Sequence, residues 1–136
     1  MLELLSGKKG TGKTKTLINN VNTAASVASG NVVFISKDSS RNMYDIKSQI
    51  RMVDTKEFEI DSWDKFLGFV CGIISGNFDI THIFIDGILK IVDHDLNGFE
   101  EFLKAAEEIS AKLNISFVIS VSIDVAEAPE YMRHYI

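Results

Sequence analysis

The sequence predicts an α/β fold, a parallel sheet held between helices in a three-layer, doubly wound arrangement. Two observations point to it. Five apolar runs, at residues 2–5, 32–36, 58–60, 82–86 and 117–123, alternate with segments of helical period. Those runs are also nearly continuous in apolar residues, as strands are when helices cover both faces of a sheet. The chain of 136 residues, 46% hydrophobic with one proline, is long enough to bury a sizeable core and has the size of one domain.

The elements follow in order. Residues 2–5 form the first strand, and a glycine-rich turn follows at once. From residue 13 to 28, Leu17, Ile18, Val21, Ala24, Ala25 and Ala28 recur on one helical stripe, and Ser29-Gly30 ends it. After the second strand, a second helix is expected from Ser39 or Ser40 to about Arg51, burying Met43, Ile46 and Ile50. Residues 58–60 are read as the third strand. A third helix opens at Asp61-Ser62, both good caps, and runs apolar nearly all round to Ser75-Gly76. The strand at 82–86 comes next. The fourth helix takes Asn97 as cap, Glu100 and Glu101 in its first turn, and Phe99, Phe102, Leu103, Ala106 and Leu113 as its stripe. Residues 124–136 are expected to form a short docked helix or tail.

Charge is unevenly distributed. Residues 1–56 carry nine basic and four acidic side chains, whereas residues 57–136 carry five and fifteen, for a net charge of -5. Lys8, Lys9, Lys13 and Lys15 crowd one short stretch, a density that calls for an anionic ligand or partner. The overall acidity speaks against a dedicated nucleic-acid binder. The most apolar uncharged run spans 13 residues, 66–78, where a membrane span needs about 20. A strand and loop stand where a secretory leader would place a basic then apolar stretch, and Cys71 is the only cysteine. A cytoplasmic, reducing setting is therefore expected.

The loop Gly7-Lys8-Lys9-Gly10-Thr11-Gly12-Lys13-Thr14 matches the pattern G-x-x-x-x-G-K-[ST] in full. Its glycines let the backbone turn successive N–H groups towards phosphate oxygens, and the following helix adds its positive dipole end. In this pattern Lys13 reaches the β- and γ-phosphates and the Thr14 hydroxyl ligates Mg²⁺. Chance would produce the match in about one such chain in two hundred, and here a strand precedes it and an amphipathic helix follows. Gly7, Lys9, Gly10, Thr11, Gly12, Lys13, Thr14 and Lys15 are the expected nucleotide contacts. The run His82-Ile83-Phe84-Ile85-Asp86 ends an apolar strand on an acid suited to holding a water on the metal. Thr14 and Asp86 are thus the expected metal-site residues.

With these motifs the chain resembles the P-loop NTPases, and more narrowly the RecA-like ATPase core, over nearly its whole length. Residues 32–40 look like the second strand of RecA-like and KaiC-like proteins, which ends in a water-orienting acid, here Asp38. Residues 103–122, LKAAEEISAKLNISFVISVS, look like the helix and strand that carry a polar sensor. The resemblance implies five strands in the order 5-1-4-3-2, which sets the loop strand beside the Asp86 strand. It further implies one RecA-like nucleotide-binding domain over residues 1–136, with ATP and Mg²⁺ as ligands and Lys13 and Asp38 as catalytic residues. Three departures stand out. Asp38 replaces a longer glutamate, Gly87 follows Asp86 where related ATPases often carry a catalytic glutamate, and few residues follow the fifth strand. A weaker resemblance, to partition and division-site ATPases with a deviant loop, matches Lys8 to their signature lysine but has Lys9 in place of a glycine.

The functional expectation is a slow Mg²⁺-dependent ATPase whose activity depends on a protein partner or a homo-oligomer, because no cationic finger is evident within the chain. The alternatives are a non-catalytic nucleotide-binding switch and, last, a small-molecule phosphotransferase, for which Arg41, Arg51 and Arg133 are few. Other candidates have simpler structural explanations. Arg41, Lys47 and Arg51 suit a solvated helix face, and Asp38 also suits a helix cap. Ser120 and Ser122 suit local backbone satisfaction, Cys71 suits a buried apolar site, and Trp63, Phe66 and Phe69 suit the core. His82, His94 and His134 lack the spacing of a metal cage.

Overall fold

The structure, a computed structural model, describes residues 1–38 and 44–136. Five strands form one all-parallel sheet: β1 (Leu2–Ser6), β2 (Asn31–Ser36), β3 (Arg51–Asp54), β4 (Ile80–Ile85) and β5 (Ser116–Val121). Helix α1 (Lys13–Val27) packs on one face through Leu17, Ile18 and Val21, which meet Val32, Phe34, Phe84 and Val118. The larger core lies on the other face, beneath α2 (Trp63–Ser75), the short α3 (Ile88–Ile91) and α4 (Phe99–Leu113). Here Phe66, Phe99, Phe102 and Leu103 meet Ile35, Ile83, Ile85, Phe117 and Ile119. The expected three-layer α/β architecture is therefore present.

The strand order is β1-β5-β4-β2-β3, not 5-1-4-3-2. Strand β5 lies between the loop strand and the Asp86 strand, pairing Leu4 with Ile119 on one side and Ile85 with Ile119 on the other. Burial explains the placement. Residues 117–121 of β5 are all buried and suit the interior of a sheet, whereas β1 has one buried residue, Leu4, and carries Glu3. A half-exposed, charged strand belongs at an edge. Part of that edge is covered, because Leu4 N–H donates to the Tyr135 carbonyl at 2.9 Å.

Two elements between β2 and α2 differ from expectation. Of the helix expected up to Arg51, residues 39–43, including Met43, lie outside the described residues, and residues 44–50 run as turns. Ile46 and Ile50 are buried as expected. Their backbone, however, is held by a side chain of α1: Asn22 Nδ2 donates to the Asp45 carbonyl at 2.8 Å, and Lys47 N–H donates to Asn22 Oδ1 at 3.0 Å. These bonds replace a helical ladder. The third strand is correspondingly residues 51–54, where Met52 and Val53 pair with Phe34 and Ile35. Residues 58–60 are not a strand, because Asp54 accepts from Lys56 N–H at 2.8 Å and starts a 3-10 turn over Thr55–Phe58.

Helix α2 has Ser62 as cap and buries Trp63, Phe66, Val70 and Ile74. Leu67, Phe69 and Ile73 flank that stripe half-buried, whereas Cys71 faces away from it and is exposed, not a core residue. Helix α4 is capped by Gly98 in place of Asn97, because Trp63 packs where a Cβ would point. Its Leu113 is exposed. Residues 124–136 form a 3-10 turn at Val125–Glu127 and a short helix α5 (Glu130–Arg133), docked through Met132 and Tyr131.

Candidate nucleotide site

All five strands run the same way, so the loop after β1, the Asp86 end of β4 and the Ser120 end of β5 meet at one edge of the sheet. Open parallel α/β sheets bind ligands at that edge.

The loop from Gly7 to Gly12 closes on a single acceptor. The Lys8 carbonyl receives Thr11 N–H at 3.3 Å, Thr11 Oγ1 at 2.7 Å and Lys13 Nζ at 2.8 Å. At Gly7 a Cβ would stand 2.8 Å from Thr11 Oγ1, so any side chain there would disturb this closure. Gly12 leads into α1 at φ 85°, ψ 17°, a left-handed conformation that glycine adopts without strain. The N-terminus of α1 has no side-chain cap and no acid in its first turn. By contrast, α2 is capped by Ser62 and α4 carries Glu100 and Glu101. The first-turn N–H groups of α1, with Lys13 and Lys15 beside them, are therefore disposed towards an anion.

The remaining pieces converge on Asp86. Thr14 Oγ1 donates to its carboxylate, 3.2 Å from Oδ1 and 3.4 Å from Oδ2, across 72 residues of sequence. Ser120 Oγ donates to Asp86 Oδ1 at 3.0 Å and accepts from Gly87 N–H at 2.7 Å. Asp86 N–H is tied to the Ile35 carbonyl at 2.9 Å. The carboxylate is thus fixed at both its backbone and its oxygens, in a half-buried position. Burial pushes the Lys13 ammonium below its ordinary value, the Asp86 charge opposes that shift, and Lys90 adds to it. Hard oxygen donors from Thr14 and Asp86, with the ammonium nearby, fit a hydrated magnesium ion and polyphosphate. The side-chain-intolerant turn at Gly7 and the uncapped helix fit the phosphates.

Lys9, Gly10, Thr11 and Lys15 are exposed along the loop and first turn. Lys8 is also exposed but is paired within the chain, 3.5 Å from Asp124. A cavity of about 460 Å³ flanks the loop on the outer side of β1, between Leu5, Gly7, Thr11, Lys13 and the tail residues Val125 and Ile136. Asp38 lies two residues beyond β2, exposed, at the same sheet edge. Arg41 lies outside the described residues. Lys47, Arg51 and Ser122 are exposed. His82 hydrogen-bonds Thr81 through Nδ1, and burial lowers its pKa. Trp63 and Phe66 are buried in the core, and Phe69 is half-buried against it.

From the sequence, Ser120 suits local backbone satisfaction. It does satisfy Gly87 N–H, and it also grips Asp86. The signal available in the sequence was a lone hydroxyl near the end of an apolar strand. Its meaning depends on which strand is its neighbour.

No protein-family model matches the sequence, and no protein of curated function matches it. Among solved structures the fold is similar to that of a KaiC-like protein from the hyperthermophilic archaeon Pyrococcus horikoshii OT3, with a TM-score of 0.66 and 18% identity. The match covers 96% of this chain and 64% of that one, so this chain spans less than two thirds of its neighbour's length. At this level of identity the similarity bears on the fold alone. Among the described residues no helix is long and apolar enough to cross a membrane.

Proposed function

We propose that residues 1–136 form one RecA-like nucleotide-binding domain that binds Mg²⁺–ATP and hydrolyses it slowly, with turnover dependent on a protein partner or a second copy of the chain. The observation that carries this reading is the meeting of Thr14 with Asp86, at 3.2 Å, directly beside the Lys13 loop. Two motifs 72 residues apart converge as a metal–triphosphate site requires. Lys13, the loop glycines and the first-turn amides of α1 would hold the phosphates, with Gly7, Lys9, Gly10, Thr11, Gly12 and Lys15 in contact. Thr14 and Asp86 would hold the magnesium, which when bound neutralises phosphate charge.

For hydrolysis, Asp38 would orient the attacking water, and Lys13 would stabilise charge on the transferring group. The slow rate follows from the lack, among the described residues, of an evident finger cation in cis, a group worth about 10³- to 10⁵-fold elsewhere. The second reading, a non-catalytic nucleotide switch, is favoured by Gly87. It follows Asp86 in a left-handed conformation, φ 64°, and brings no carboxylate to the site.

The test is equilibrium binding of Mg²⁺–ATP and phosphate release by the purified chain, with Lys13→Ala as the control. Binding and turnover both lost in Lys13→Ala support the ATPase. Binding lost without any turnover in the parent supports the switch. Equal behaviour of parent and variant refutes both.

A further inference from the structure

Among the described residues two buried hydroxyls have no partner, those of Ser6 and Ser36, which end β1 and β2 at this sheet edge; Ser36 is the one level with Asp86. Ser36 ends β2 with 3% of its surface exposed, and among the described residues its hydroxyl makes no hydrogen bond. A buried unpaired hydroxyl is costly and rare enough in native proteins to call for a reason. Its own carbonyl is engaged, accepting Thr55 Oγ1 at 3.4 Å, so the omission concerns the side chain alone.

Register shows what the hydroxyl stands beside. Ile35 is opposite Ile85, and Ile85 is opposite Ile119. The next residues on the three strands are Ser36, Asp86 and Ser120. Residues level with one another on parallel strands project to the same face. Two residues earlier, Phe34, Phe84 and Val118 all pack on the α1 side, so Ser36, Asp86 and Ser120 form a row on that side, at the start of α1. Asp86 is bracketed by two serines. Ser120 is used twice, and Ser36 not at all. The carboxylate has room for another donor, because among the described residues Oδ2 accepts only from Thr14, at 3.4 Å, while an ionised carboxylate offers about four acceptor sites.

We propose that Ser36 is a further positioning residue of the magnesium–nucleotide site, its hydroxyl pairing with the Asp86 carboxylate when metal and nucleotide bind. It rests on the reading of that site as a Mg²⁺–nucleotide site. Ser36 acts through Asp86, on the side away from Ser120, and restrains the acid that holds the metal's water.

The test uses the full chain and Ser36→Ala, with two readouts: thermal melting without nucleotide, and calorimetric binding of ATP with Mg²⁺ and with the metal chelated. Removing an unpaired hydroxyl takes away a penalty, so the melting temperature should stay level or rise. Mg²⁺–ATP should bind about 3- to 10-fold more weakly, the worth of one hydrogen bond. Metal-free ATP should bind as it does to the parent. Unchanged Mg²⁺–ATP affinity overturns the proposal, as does a lower melting temperature with both affinities reduced together, which marks a purely structural serine. A parent chain that binds no ATP overturns the nucleotide reading and this proposal with it. A parent that binds ATP and is matched by Ser36→Ala overturns this proposal alone.

Discussion

Ser120→Ala tests whether the Asp86 end of the site is held as its hydrogen bonds indicate. The serine is 1% exposed, donates to a carboxylate oxygen at 3.0 Å and accepts a backbone N–H at 2.7 Å. A hydrogen bond to a charged group contributes about 1.5–3 kcal/mol, and a buried N–H left unpaired costs about 1–3 kcal/mol. Gly87 is only half-buried, so water can replace part of the second loss. The net expectation is a destabilisation of about 2–3 kcal/mol. With a urea slope of about 1–3 kcal/mol per molar for a small protein, the unfolding midpoint should fall by about 0.7–3 M. The assay is urea denaturation without nucleotide, using Ser122→Ala as the control. Ser122 is exposed on the same segment, and its variant should stay within about 0.5 kcal/mol of the parent. A midpoint for Ser120→Ala within about 0.2 M of the parent would refute the claim that Ser120 secures Asp86. The same variant, at a temperature where it is folded, should also bind Mg²⁺–ATP more weakly, because a carboxylate with one restraint removed is less preorganised.

Two further expectations concern the frame around the site. Gly98→Ala should destabilise by more than about 2 kcal/mol, since φ is +114° and the new Cβ would lie 2.7 Å from Trp63 Cδ1; chemical denaturation checks it, and a loss below about 1 kcal/mol would mean the indole yields freely. Tyr135 donates to Glu107, and its pKa is pushed up to about 12, by burial first, then by that hydrogen bond and by the charges of Glu107 and Glu100. A folded-state pKa above the ordinary 10.0 means the native chain holds the proton more tightly, so its stabilisation is complete below pH 10 and lost between about pH 10 and 12. Urea midpoints at pH 9 and 11.5 should therefore fall further for the parent than for Tyr135→Phe, by an amount limited to about 1 kcal/mol by solvent screening. Equal falls would show that the phenol contributes nothing in that range.

Local pattern revealed the helices well and the sheet order poorly, for a physical reason. The stripe of α1, the cap and stripe of α2 and the apolar face of α4 are set by residues three and four apart, and such short-range signals survive in a single sequence. Residues 44–54 depart from their local pattern because what decides them is distant. Ile46 and Ile50 have helical spacing, but Asn22 of α1 takes the backbone groups of residues 45 and 47, and β2 recruits residues 51–54 as an edge strand. The position of β5 is likewise a tertiary matter, although Glu3 in β1 and the mostly apolar residues 117–121 of β5 point towards edge and centre. The loop and Asp86 were legible as motifs. The roles of Ser36 and Ser120 were not, because each depends on which strand stands next to its own.

The central position of β5 also bears on how the loop and the acid cooperate. With one strand between β1 and β4, Thr14 reaches Asp86 from across β5, and Ser120, on β5 itself, fixes the acid from the neighbouring strand. The loop side is held differently. Lys13 donates to the neutral Lys8 carbonyl and feels the Asp86 carboxylate, while burial depresses its pKa. An ammonium so placed gains more from an anion than from the carbonyl it now holds, since charge-assisted bonds are roughly twice as strong as neutral ones. Releasing Lys13 need not open the loop, because Thr11 closes on the same carbonyl through both its N–H and its hydroxyl. A phosphate ligand can therefore draw Lys13 away while the turn keeps its shape. The binding free energy then goes into contacts with the ligand and little of it into refolding the cradle.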